Sequence, residues 1–117
     1  MLELVKAVQS FIETKAMPEL KGHTAFHARV AANALGIVAR ELELGPKAAN
    51  AEKTQLAALL GRDGSLEDLN RDLCQRIREG KIAIESEALR RHLELTTLDK
   101  VGIDQPNYSG LKIARTR

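Results

Sequence analysis

The sequence predicts an all-α domain: a compact bundle of about five helices, with a broadly apolar second helix at its centre and short glycine-punctuated turns. Three observations predict it. Leu and Ala dominate the apolar residues, and both are strong helix formers. Apolar positions recur three and four apart through most of the chain, the period of a helix with a buried side. Gly-Pro, Asp-Gly and single Gly residues punctuate the periodic segments. With 117 residues, 44% of them apolar and 29% charged, the chain has the balance of one globular domain. Residues 1–106 are expected to form it, with 107–117 as a C-terminal tail.

The first helix is predicted from about Leu2 to Met17, with Leu4, Val5, Val8, Phe11 and Ile12 as its apolar stripe. Pro18 ends or bends it, because proline disfavours helical geometry in the residue before it. The second helix is predicted from Thr24, as N-cap, to about Leu44, roughly 30 Å at about 1.5 Å per residue. Phe26, Val30, Ile37 and Leu44 lie on one side; Ala31, Leu35, Val38 and Leu42 lie on an adjacent one. A helix so broadly apolar is expected to be the most buried. Ala28, Ala31, Ala32, Ala34 and Gly36 would let neighbours approach closely.

Gly45-Pro46 reads as a stop and a start, which makes the second helix and a third, Pro46 to about Leu60, antiparallel neighbours. Ala49, Leu56, Leu59 and Leu60 are its inward positions, and Gly61 closes it. Asp63-Gly64 is a turn signal. Ser65, with Asp68 three residues on, is the N-cap of a fourth helix from Leu66 to Glu79. Its inner row is Leu66, Leu69, Leu73 and Ile77. After Gly80, Lys81 to Ile84 reads as an extended linker pinned by Ile82 and Ile84. Ser86 caps a fifth helix that runs to about Ile103, with Leu89, Leu93, Leu98 and Val101 inside. Pro106 blocks its extension, and the tail beyond lacks strong periodicity.

Composition excludes several functions. The net charge is only +2, with both signs interleaved, so the basic face of a nucleic-acid binder is missing. Lys112, Arg115 and Arg117 read as a solvated end. Aromatic residues are 3%, too few to build stacking platforms for nucleotides or flavins. One cysteine, Cys74, permits no intramolecular disulfide and no multi-thiolate zinc site. It is expected to be a small buried apolar side chain. No secretory leader and no apolar run of about 20 residues is present, so a cytoplasmic chain that does not cross the membrane is expected.

Four constellations carry polar chemistry. His23 and His27, four apart, have the spacing of a two-imidazole metal grip, but the pattern supplies no third and fourth ligand. No metal or other cofactor is therefore expected; His27 is read as packed in or near the core and His23 as exposed. Arg29, Asn33, Gly36 and Arg40 form one stripe of the second helix. It suits either a groove for an anion or a partner, or a solvent-facing row with its arginines paired to Glu41, Glu43 or acids of other helices. Thr97, Lys100 and Asp104 share one face late in the fifth helix and could hold a phosphate or carboxylate. Gly61 to Ser65 lacks the GK[ST] ending and preceding strand of a phosphate-binding loop. No catalytic motif is present.

Three blocks, FHARVAANALGIVARELELG at 26–45, AALLGRDGSLEDLNRDLCQRIREG at 57–80 and LTTLDKVGIDQPNYSGL at 95–111, give nearly the whole chain a resemblance to a family of small bacterial helical proteins of unknown function. Its members are often encoded beside acyl-CoA dehydrogenases and aminoglycoside-phosphotransferase-like kinases. The family's recurring polar positions match His27, Arg29, Asn33, Arg40, Glu41, Asn70, Arg78, Thr97, Lys100, Asp104, Pro106 and Tyr108. Gly102 and Gln105 depart from the family's KLxIDNP pattern. The resemblance implies a link to acyl-CoA or kinase-like metabolism. Together with the missing catalytic machinery, it leads to the expectation of a non-catalytic accessory or interaction subunit. Its partner would be a kinase-like protein, an acyl-CoA dehydrogenase or another copy of itself. The alternative is a small anionic-ligand site, possibly enzymatic, where the second and fifth helices meet. There Arg29, Asn33 and Arg40 would bind the anion, and His27 would be the acid-base group.

Overall fold

The computed structural model describes residues 1–116. Arg117, read above as part of the basic end, lies outside the described residues. Among the described residues the regular elements are all helical: α1 (Leu2–Phe11), α2 (Gly22–Leu60), α3 (Leu66–Arg78), α4 (Glu87–Asp104) and α5 (Ser109–Arg115). None of these helices is long and apolar enough to cross a membrane. The chain forms two compact units, one of Met1–Gly45 with Ile103–Gln105, the other of Pro46–Gly102 with the residues from Pro106 on.

The main departure from the sequence reading lies at Gly45-Pro46. α2 runs through both residues for 39 residues instead of stopping there, so the antiparallel pairing expected of two separate helices does not occur. Gly45 is not among the left-handed glycines, which are Gly22, Gly61 and Gly80. Its role is clearance. A Cβ at Gly45 would lie 2.7 Å from Glu41 Oε1, and a Cβ before proline also crowds the proline ring. At its other end α2 begins at Gly22, so Thr24 lies inside the helix rather than capping it.

In the first unit, Pro18 acts as expected. α1 loosens into a π turn (Ile12–Ala16) and a 3-10 turn (Met17–Glu19), and Leu20 is extended. α1 then lies antiparallel to the first part of α2, as Lys6 pairing with Glu43 at 3.8 Å and Gln9 lying beside Gly36 show. Leu2, Val5 and Gln9 are the half-buried row of α1, continued by Ile12 and Ala16 of the π turn. Ala25, Ala28, Ala32, Gly36 and Ala39 are the matching row of α2, and its small side chains let the helices approach closely. The buried apolar residues of this unit are Ala32, Ala39 and Ile103.

The second unit holds the larger core. Leu56, Leu60, Leu69, Leu73 and Leu89 are buried together, with Leu59, Leu66, Ile77 and Ile82 packed against them. Local chemistry sets the element ends. Ser65 Oγ accepts from the Asp68 amide at 3.1 Å and Ser86 Oγ from the Leu89 amide at 3.3 Å, the two predicted caps. Gly61 and Gly80 take φ of +68° and +70° after their helices, a conformation that favours glycine. Arg76 donates to the Leu60 carbonyl at 3.2 Å and so satisfies the last turn of α2. α5, absent from the sequence reading, docks through Leu111, only 3% exposed. Four expected inward positions point out: Ala49 and Cys74 are exposed, Ile84 is 75% exposed and Leu93 is 47% exposed. Ile82 alone anchors the 81–84 linker, and His92 takes the inner place expected of Leu93.

Candidate functional site

The predicted site residues go to different places. His27 is exposed, with its ring edge-on to Phe26 at 5.6 Å, so it is not a core histidine. Arg29 and Asn33 are also exposed. Arg40 turns inward, and its Nε donates to the Ile103 carbonyl at 2.6 Å. That carbonyl belongs to the last turn of α4, where the helix has no internal donor and a cation is favoured. Arg40 is thus a helix-end partner. The room left by Gly36 is already filled, because a Cβ there would lie 3.1 Å from Gln9 Nε2 and 3.2 Å from an Arg40 guanidinium nitrogen. Of the later trio, Asp104 is exposed, Lys100 turns to Glu52, and Thr97 lines a groove with residues of α5. Among the described residues, no group of three or more His, Cys, Asp or Glu side chains is placed to hold a metal ion.

A polar cluster that the sequence reading missed centres on Glu52, whose side chain is 12% exposed. Asn70 Nδ2 donates to Glu52 Oε1 at 3.4 Å, and Lys100 Nζ lies 3.8 Å from the same oxygen. Asn70 of α3 and Lys100 of α4 therefore meet at one carboxylate. One turn on, Gln55 Oε1 stands 3.1 Å from His92 Nδ1. As the carbonyl oxygen accepts, Nδ1 carries the proton. His92 is 5% exposed, and loss of hydration lowers its pKa from the usual 6.5; Lys100 lowers it further, while Glu52 opposes the shift. Burial thus favours the neutral imidazole, which is joined to Gln55. The sequence carried one signal for this cluster: Glu52 stands four residues before Leu56, on an apolar row of α2.

Two concave surfaces of the second unit lie beside α4. One, of about 550 Å³, runs along α4 and α5 and is lined by Arg90, Arg91, Glu94, Thr97 and Arg115 over Leu98. Arg90 is already paired with both oxygens of Glu87 at 2.9 and 3.0 Å. The other, of about 320 Å³, is walled by Ala58, Leu59, Ala88 and Leu95 and reaches His92. Cys74, the chain's one thiol, lines neither of these two grooves.

The first unit presents a different kind of surface. Leu4, Val8 and Phe11 are 66%, 50% and 61% exposed, and they recur on one side of α1. That row lies roughly 100° around the helix from the row packed on α2, given about 3.6 residues per turn. Leu35, Val38 and Leu42 form the equivalent row of α2, with Val38 45% and Leu42 39% exposed. In an antiparallel pair of right-handed helices, these two rows come to the same side. The hairpin therefore carries a continuous apolar face, and the Arg29-Asn33-Arg40 stripe lies on its opposite side. The helix expected to be most buried keeps large apolar side chains in water, Phe26, Val30 and Leu44 included.

No curated protein and no solved structure matches the chain. Over residues 18–108 it matches a domain of unknown function, DUF6285, and the chain belongs to that family.

Proposed function

We propose that this chain is a non-catalytic interaction subunit of the cytoplasm that docks through α1 and the first part of α2. One observation carries the reading. The apolar face of Leu4, Val8, Phe11, Val38 and Leu42 belongs to a unit whose buried apolar residues are two alanines and one isoleucine. Those five side chains leave on the order of 500 Å² of apolar surface in water, within the roughly 300–600 Å² of the largest patch on a typical monomer, and such a patch is often functional. A surface of that kind is stabilised when another protein covers it. The sequence resemblance suggests a kinase-like protein, an acyl-CoA dehydrogenase or a second copy of the chain as the partner. Light scattering on the chain alone, and on the chain co-expressed with each candidate, tests the reading. Assembly of some kind at micromolar concentration is expected; a chain that stays at 12.9 kDa in every mixture refutes it.

The α4–α5 groove favours a second reading, a small anion with an apolar body. Arg91 and Arg115 would meet the charge, and Leu98 would meet the body. A thermal-shift screen of aliphatic and aromatic carboxylates and phosphates tests it. Equal shifts in wild type and Arg115→Ala would refute it.

A further inference from the structure

Resting on the interaction reading above, we infer that the occupant of the hairpin face is a second copy of this chain, joined about a two-fold axis into a four-helix bundle. Three features of the face are those that a contact with a copy of itself needs. Its middle rows, Leu4, Val8 and Phe11 on α1 and Leu35, Val38 and Leu42 on α2, carry no charged side chain. A two-fold contact places each patch against itself, so a charge in the middle would meet its own like charge; this face has none to oppose. The charged residues Glu3 and Lys6 of α1 and Glu13 of the π turn point elsewhere, and Lys15 of that turn bounds the row at its far end.

The second feature is size. With Met1 and Ala31 at its margin, the face approaches the roughly 800 Å² per partner of a standard interface. The third is geometry. Both rows are helical, parallel to the hairpin and spaced three and four apart, the ridge pattern that lets one two-helix layer pack on another. Phe11, at 61% exposure the largest side chain in the row, is the natural anchor for the partner's face.

The test uses the full chain. Light scattering at about 10 µM, a concentration at which standard interfaces are populated, reads the mass directly. Twice 12.9 kDa is expected for the wild type. Val8→Glu and Val38→Glu each put a charge into the middle of the face and should return the mass to 12.9 kDa. Glu is a better helix former than Val and both sites are half exposed in one chain, so the helices should be retained, which far-ultraviolet circular dichroism checks. Ser10→Glu, on the other side of α1, should leave the dimer intact. A wild-type mass of 12.9 kDa overturns the inference, as does a dimer that survives both glutamates. The two levels separate cleanly. A monomer that still binds a kinase-like or dehydrogenase partner, and loses it on Val8→Glu, overturns the second copy alone. A chain that binds nothing overturns the interaction reading as well.

Discussion

Replacing Pro46 by Ala tests the continuity of α2 and has a sign that the two readings of the sequence do not share. Inside a helix, proline lacks the N–H that would bond the carbonyl four residues back, here Leu42, and its ring crowds that carbonyl. Restoring the donor and removing the clash is worth about 3 kcal/mol in a helix interior. Two effects reduce it. Leu42 is 39% exposed, so water already serves its carbonyl in part. Alanine also gives the unfolded chain more freedom, at about 0.4–1 kcal/mol. The net expectation is a gain of about 2 kcal/mol, a rise in Tm of roughly 8 °C at about 4 °C per kcal/mol for a domain of this size. Thermal and urea unfolding followed at 222 nm measure it, with the native helical signal constant or slightly increased. If Pro46 instead opened a separate helix, it would occupy the first-turn position that suits it, and alanine would be neutral or destabilising. An unchanged or lowered Tm refutes the continuous helix.

The remaining predictions follow from single contacts. Leu56→Ala, at a fully buried position, should cost about 3 kcal/mol in urea unfolding, while Cys74→Ser on the exposed side of α3 should stay within about 0.5 kcal/mol. Arg40→Met keeps the length of the side chain but removes the donor to the Ile103 carbonyl, and should cost about 1.5 kcal/mol by the same assay. His92, with its pKa below the ordinary 6.5 in the folded chain, binds protons more readily when unfolded. Its contribution to stability is therefore full above pH 6.5 and is lost as the pH falls from there through the lower folded value. The urea midpoint should drop over that window in wild type and drop less in His92→Gln.

The all-helical class and most element ends were legible because they depend on local chemistry. Ser65 and Ser86 cap through their own side chains, and Gly61 and Gly80 take the left-handed conformation that favours glycine. The Leu66-Leu69-Leu73-Ile77 row was legible from periodicity alone. Gly45-Pro46 was misread because the same dipeptide fits a helix stop or a glycine making room inside a helix, and local sequence does not separate these. Periodicity also cannot tell a core row from an exposed one. Val38 and Leu42 have the same spacing as Leu56 and Leu60, yet only the latter pair is buried. The polar stripe of α2 was legible as a stripe, but Arg40's role depends on a carbonyl 63 residues away. Glu52 was overlooked because its partners Asn70 and Lys100 come from two other helices.

Amide hydrogen exchange of α1 in wild type and in Val8→Glu, at matched micromolar concentration, tests most directly whether another protein surface covers the hairpin face. The account predicts slow exchange along Leu2–Phe11 in wild type, clear acceleration in Val8→Glu and no change in Leu66–Arg78, whose core lies in the other unit. Equal exchange of α1 in the two proteins would mean that the face is exposed to water in both, and would contradict the account.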